Sequence, residues 1–329
     1  MQAKAFRIYK TGGPNVMKWE SVDVPEPGSG EALIRHTAIG LNLADTYRRT
    51  GLYPMKLPNG MGNEAVGVVE AVGPGTRGVK VGDRVGYIGG TPFFDAYSEM
   101  RVAPVDALIP LPDFIDDRTA AAGLLKGITA QYLLRASYRV RKGDTILVHA
   151  AAGGVGAIMC QWANALGATV IGTVSTEDKA KFAKKNGCHH PIVVKRKGPK
   201  FAKKVRKLTD GEGCHAIYDS VGKETWEESL SSVRHRGTVI SFGSASGKPP
   251  KTDIAATGAI GSPYIARCAL VNYTTSRREL MSRARDLFQA MESGAVKVPV
   301  NQKYKLKDAS KAHKDIEARK TTGSTVLLP

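Results

Sequence analysis

Apolar and polar positions fall into two regimes that meet near residue 125. Before it, the short alternating or apolar runs Ala3 to Tyr9, Glu31 to Gly40, Ala65 to Val72, Arg84 to Ile88 and Ser98 to Val102 are separated by Pro25-Glu26-Pro27-Gly28, Gly73-Pro74-Gly75 and similar punctuation. This spacing predicts a β-rich, barrel-like domain with few helices. From Gly123 to Arg267 strands alternate with helical stretches, the strands being Thr145 to Val148, Ala168 to Val174, His189 to Val194, Ala216 to Asp219, Gly237 to Phe242 and Tyr264 to Arg267. That pattern predicts a doubly wound parallel sheet of α/β class. Ser276 with Glu279 reads as a capping box for a helix through Met291, and Thr325 to Leu328 reads as a closing strand.

Within the second regime, the run His149-Ala150-Ala151-Ala152-Gly153-Gly154-Val155-Gly156 follows the apolar stretch Thr145 to Val148 directly. It reads as a strand, a glycine turn and a helix start, with Ala157 to Leu166 helical and Gly167 ending the helix. Glycines let backbone N–H groups approach a pyrophosphate, and the helix N-terminus favours the same negative charge. Ala151 stands where the first glycine of G-x-G-x-x-G would be, so the turn alone is weak evidence and the complete βαβ unit around it carries the reading.

The length of 329 residues suits two domains, and 42% apolar residues suit a globular protein. No apolar run reaches the roughly 18 residues that cross a bilayer, and Met1 to Phe6 lacks the apolar centre of a signal peptide, so a cytoplasmic location is expected. Cys160, Cys188, Cys214 and Cys268 have no C-x-x-C spacing and are expected to be partly buried thiols rather than disulfides or zinc ligands. Of the net charge of +18, much comes from one segment: Lys179 to Lys207 holds 12 Lys or Arg in 29 residues and no acid. Such a run is a solvated, solubilising surface, a steering field for a phosphorylated cofactor, or an RNA contact. Only Phe182 and Phe201 there could stack on bases, so nucleic-acid binding would be mostly phosphate contact and salt dependent.

The segments Ala38 to Tyr47, Gly51 to Pro54, Leu125 to Ala130, His149 to Gly156, Tyr218 to Gly222 and Ser241 to Gly243, in this order, closely resemble those of NADPH-dependent quinone oxidoreductases of the zeta-crystallin type, within the medium-chain dehydrogenase/reductase superfamily. The resemblance covers essentially the whole chain. It implies a GroES-like barrel over residues 1–124 and 268–329, a Rossmann domain over 125–267 that binds NADPH, and a homodimer pairing through the cofactor domain.

Where zinc alcohol dehydrogenases of the superfamily carry catalytic ligands, this chain has Asn42, Asn63-Glu64 and Leu125, and no cysteine precedes Cys160. Zinc needs three good protein ligands, so a zinc-free enzyme is expected, with Glu64 a structural carboxylate. Ser175 and Thr176, followed by Lys179, occupy the end of the second strand where an NAD enzyme usually has Asp or Glu, which favours the 2′-phosphate of NADPH. Lys179 has the plainer reading of a solvated first-turn lysine. Val194 stands where the resemblance implies a phosphate-contacting Tyr, beside Lys195 and Arg196, which are candidates to replace it.

A metal-free hydride transfer needs donors for the charge growing on the acceptor oxygen. The resemblance points to Asn42, Tyr47 and Tyr53 as lining the nicotinamide and acceptor cleft, with Tyr47 donating its hydroxyl and Asn42 its amide. Each is, by itself, equally an ordinary buried residue with a satisfied polar tip. Besides Ala152 to Gly156, the resemblance assigns cofactor contacts to Asn42, Lys126, Thr129, Ser220, Phe242, Gly243 and Arg267. The expected activity is quinone reduction. The alternatives are an NADPH-dependent enone or alkenal reductase and, in another class, an NADPH-regulated RNA-binding protein using Lys179 to Lys207.

Overall fold

The computed structural model describes residues 1–89, 95–195 and 198–329. Elements run in the order β1 Gln2–Ile8, β2 Lys18–Asp23, β3 Glu31–Leu41, α1 Leu43–Arg49, β4 Asn59–Gly60, β5 Glu64–Val72, β6 Arg84–Ile88, β7 Met100–Pro104, β8 Ile109–Pro110 and α2 Asp117–Tyr132. They continue with β9 Thr145–Val148, α3 Gly154–Ala165, β10 Thr169–Val174, α4 Glu177–Lys185, β11 His190–Val193, α5 Ala202–Leu208, β12 Cys214–Asp219, α6 Trp226–Ser232, β13 Val233–Ser241 and β14 Tyr264–Arg267. The last are α7 Arg277–Glu292, β15 Val300–Lys305, α8 Ala309–Glu317 and β16 Ser324–Leu328.

The chain divides into two compact units. One comprises residues 1–126, 276–288 and 298–329, the other 127–275 and 289–297. In the first, a seven-stranded sheet has the order β15-β16-β3-β5-β6-β8 with β7 paired to β3, and a three-stranded sheet has the order β2-β1-β4. From β3, Ile34, Ile39 and Leu41 pack with Phe6, Ile8, Val69, Tyr87 and Leu327 in one core cluster, while Leu33 packs with Ala3, Val24 and Met100 in another. Short α1, the two strands β2 and β15, and α8 were not anticipated from the pattern.

The second unit is a six-stranded sheet of order β11-β10-β9-β12-β13-β14, parallel throughout. Its centre strand β9 is Thr-Ile-Leu-Val with the last three residues unexposed, as expected of a strand covered on both faces. The order reverses between β9 and β12, which places ligands at the carboxyl ends of these strands. Helix α3 begins at Gly154, three residues before the predicted start: Gly154, Val155 and Gly156 form its first turn although glycine is a poor helix former, because the backbone there is set by the turn from β9.

Candidate functional site

In the second unit, the residues singled out for cofactor binding lie at the carboxyl ends of the parallel strands. Ala150 turns the chain after β9 with a left-handed φ of 51°. Ala151 N then bonds Thr173 O at 3.1 Å, and Ala151 needs no positive φ, which is why alanine is tolerated at the first glycine position. Gly153 caps α3 without any side-chain hydrogen bond. The N–H groups of Gly154, Val155 and Gly156 have no acceptor inside the helix, so the turn offers donors to a ligand. A Cβ on Gly156 would overlap the Ala150 carbonyl and lie 2.9 Å from Ala151 Cα, both rigid backbone. The cradle therefore fits a pyrophosphate and admits only glycine at that point.

At the end of β10, Ser175 is half-buried and Thr176 caps α4, its Oγ1 accepting from Lys179 N at 3.2 Å. Lys179 is half-buried in the first turn of α4, beside the exposed Glu177 and Asp178. Val194 is half-buried and packs with the cluster around Phe201 and Ile192. Lys195 is exposed, while Arg196 and Lys197 lie outside the described residues. Ser220 follows β12, and Phe242 N bonds Asp219 O at 2.9 Å where β13 ends. Arg267, at the end of β14, donates to Ser241 Oγ at 2.8 Å and to the Gly243 carbonyl at 2.9 Å, and so braces the segment that carries Phe242 and Gly243. Thr129, on α2, is buried.

The basic run is not uniformly a surface. Arg206 donates to the carbonyls of Ser231, Gly211, Glu212 and Val233 at 2.8–3.0 Å, fastening α5 to its surroundings. Lys203, Lys204 and Lys207 are exposed.

In the first unit, the polar residues around Asn42 form a closed network. Glu64 has no solvent exposure and accepts from Asn42 Nδ2 at 2.8 Å, Leu125 N at 2.7 Å and Lys126 Nζ at 2.7 Å. Asp45, also unexposed, accepts from Asn42 N at 2.8 Å, Tyr97 Oη at 2.8 Å and the Asn63 side-chain amide. Tyr97 Oη in turn meets His313 Nε2 at 3.1 Å. Burial pushes the Asp45 carboxyl up to about 6 and pulls His313 down to about 3.

Two of the expected site residues are engaged in this network. The Asn42 amide, expected to donate to an acceptor oxygen, is turned to Glu64 and, at 3.4 Å, to the Gly40 carbonyl. Lys126, expected at the cofactor, is buried with its ammonium on Glu64. The cause is the same in both cases: a carboxylate without water must be matched by donors, and these are the donors within reach. Tyr47 and Tyr53 remain half-buried, their rings edge to face at 5.2 Å, with Tyr53 N on Tyr47 O at 3.0 Å. Asp45, Tyr97 and His313 were not singled out from sequence. The Asn42-x-x-Asp45 capping box at the start of α1 is a local signal for Asp45, whereas the contacts of Tyr97 and His313 span 52 and 216 residues and carry none.

Two family models match the chain, the alcohol dehydrogenase GroES-like domain over residues 28–113 and the zinc-binding dehydrogenase over 154–286. The chain is 47% identical over 328 residues to the quinone oxidoreductase of Pseudomonas aeruginosa, covering 99% of this chain and 100% of that protein. This chain belongs to the quinone oxidoreductase family. Its fold is that of the family, a GroES-like domain and a Rossmann-type domain: the structure of Escherichia coli quinone oxidoreductase complexed with NADPH matches with a TM-score of 0.95 at 42% identity, covering 99% of this chain and 100% of that one. A 2-haloacrylate reductase of a Burkholderia species is 45% identical over 98% of both chains. Although one matching family model is described as zinc-binding, the donors here do not suit the metal. Asn42 and Leu125 offer no anionic ligand, and Lys126 already neutralises Glu64. Among the described residues no group of three or more His, Cys, Asp or Glu is placed to hold a metal ion.

Proposed function

We propose that this quinone oxidoreductase family member reduces quinones with NADPH by hydride transfer that needs no zinc. The observation that carries the reading is the open N-terminus of α3, a cradle of unbonded N–H groups closed against any side chain at Gly156. Bound there, NADPH supplies the hydride; the protein's part is to hold, orient and polarise. Gly154, Val155 and Gly156 hold the pyrophosphate, and Ser175, Thr176 and Lys179 hold the 2′-phosphate, with Lys195 a further cation beside Val194. Ala152, Gly153, Thr129, Ser220, Phe242, Gly243 and Arg267 shape the rest of the cofactor site. On the acceptor side, the hydroxyls of Tyr47 and Tyr53 are the donors for the developing oxyanion. Asn42 acts through its place in the Glu64 network rather than by donating its amide, and Lys126 by keeping that network neutral.

Edge strands support a homodimer through the Rossmann-type unit. The free edge of β11 is blunted by Pro191, and edge strand β15 presents Lys303 and Lys305 outward, both known defences against pairing. Edge strand β14 carries no Pro or Lys, and its Arg267 is engaged with Ser241 Oγ and the Gly243 carbonyl, while Tyr264 on it and Val271 four residues past it are 67% and 46% exposed. All four cysteines are buried thiols, and no described helix is long and apolar enough to cross a membrane, which suits a cytoplasmic enzyme.

The decisive experiment follows NADPH oxidation with naphthoquinones and ortho-quinones, with short enals and 2-haloacrylate as competing acceptors and NADH as competing donor, each with and without a chelator. Quinone turnover with NADPH, undiminished by the chelator and preferred over NADH, is expected. Turnover of the alkenes alone would move the reading to an alkene reductase, and no turnover with any acceptor would overturn it.

A further inference from the structure

Asp219 ends β12 as a carboxylate with no solvent exposure. Val221 N and Gly222 N donate to its Oδ1 at 2.8 Å, Thr225 Oγ1 to both oxygens at 2.9 and 2.8 Å, and Ser229 Oγ to Oδ2 at 2.9 Å. A carboxylate so surrounded only accepts, and that sets the direction of every bond beyond it. Ser229, whose only hydroxyl hydrogen is donated to Asp219, must accept from His149 Nε2 at 2.9 Å. His149 Nδ1 is then the acceptor, and Thr173 Oγ1 donates to it at 2.7 Å. Burial pulls the imidazole below its ordinary range, and the neutral ring is the form this chain of bonds requires. Phe201 stands edge-on at 5.0 Å and keeps water away.

The line joins the ends of β10, β9 and β12 to α6. Gly172 and Tyr218 both pair with Val148, so Thr173, His149 and Asp219 follow in one row across the carboxyl edge of the sheet. Each precedes a piece of the cofactor site: Ser175 two residues past Thr173, the glycine turn directly after His149, and Ser220 directly after Asp219. A leucine would fill the position without the desolvation that a buried imidazole suffers; only its two hydrogen bonds offset that cost.

We propose that His149 is a positioning residue for the cofactor, its two hydrogen bonds fixing the glycine turn against the end of β10 on one side and against α6 on the other, so that the first-turn N–H groups of α3 converge on the pyrophosphate. The proposal rests on the reading of that turn as the pyrophosphate site. The test compares binding of 2′,5′-ADP, which carries the 5′-phosphate, with 2′-AMP, which does not, by calorimetry on the intact protein. The wild-type protein binds 2′,5′-ADP the more tightly. In His149→Leu this advantage falls about tenfold, the scale of loss expected from slight misplacement of a preorganised donor set, while 2′-AMP binding holds. His149→Gln, whose amide accepts from Thr173 and donates to Ser229, restores most of it. If His149→Leu does not fold, Ser229→Ala breaks the same line and decides the matter. An unchanged advantage in the folded variant overturns the proposal, as does an equal loss of both ligands with a lowered thermal midpoint. A wild-type protein that binds the two equally overturns instead the pyrophosphate reading.

Discussion

Gly156 sits where one added carbon would strike the carbonyl of Ala150, and neither backbone segment has room to yield. Gly156→Ala is expected to cost about 1–3 kcal/mol of stability, the usual range for overpacking a tight site. It should also weaken NADPH binding at least tenfold while a quinone competitor's affinity is unchanged; fluorescence titration and urea unfolding on one preparation measure both. Glu64 is a second residue whose worth is set by its surroundings. With the carboxylate removed, Lys126 is left a buried cation without its partner, which typically costs 3–5 kcal/mol. Glu64→Gln should therefore unfold at markedly lower denaturant, and Glu64→Gln combined with Lys126→Met should recover most of the loss. If the double variant is no better than the single one, the ion pair is not what Glu64 contributes. The residue scale also divides what could be read in advance. Glycines announce themselves because only they fit certain backbones, so Gly153, Gly154 and Gly156 were legible. The orientation of the Asn42 amide was not, because its partner Glu64 is 22 residues away and lies on another strand.

At the scale of elements, the parallel strands were legible from runs of apolar residues, and β9, β10, β12 and β14 begin within two residues of their predicted starts and end where predicted. Of these, β9, β10 and β12 are buried on both faces, so hydrophobicity alone marks them. Helix α1 has only seven residues, fewer than the two turns needed for an apolar stripe to show, and tertiary contacts with α8 rather than propensity hold it. Strand β2, Lys-Trp-Glu-Ser-Val-Asp, lies at a sheet edge with most of its side chains at least partly exposed, so its composition resembles a loop. Edge strands also carry the prediction that belongs to this scale. Tyr264→Lys gives the β14 edge an outward lysine of the kind that β15 already has, and the variant should run as a monomer in light scattering at micromolar concentration where the wild-type protein runs as a dimer. A wild-type protein that is monomeric at the same concentration would refute the edge-to-edge assembly.

For the whole molecule, the buried titratable groups set how stability depends on pH. His36, held between Ser98 O and Tyr87 Oη, is pulled down to about 4, and His313 to about 3, both by burial. For a base with a depressed value the stabilisation is complete above its ordinary value near 6.5 and is lost as pH falls toward the folded value, because only the unfolded chain takes up the proton. Asp45 works in the opposite sense. Burial raises it to about 6, so the folded state holds a proton that the unfolded chain has released, and its contribution improves as pH falls toward 4. Near pH 5 two histidines oppose one carboxyl, leaving a net uptake of about one proton on unfolding and a fall in stability of about 1.4 kcal/mol per pH unit. His149, also lowered by burial, steepens the fall. Urea unfolding at pH 7, 6 and 5 measures the slope, and Asp45→Asn should make it steeper; a flat profile would show that the histidines are not held neutral.

What the chain determined by itself were features that rest on local physics, a glycine turn between an apolar strand and a helix and a strand end without an acid where an NAD enzyme places one, and, through its resemblance to the family, amide and aliphatic residues where zinc enzymes place ligands. Backbone sterics and side-chain chemistry act there over a few residues, so the order of residues is enough. Tertiary structure decided the rest, namely that Asn42 and Lys126 face Glu64, that Arg267 braces Gly243 and Arg206 anchors α5, and that His149 lies in line between Thr173 and Ser229. Each is the settlement of a buried polar group with donors or acceptors far away in sequence, and only the folded chain shows which groups share the same dry space.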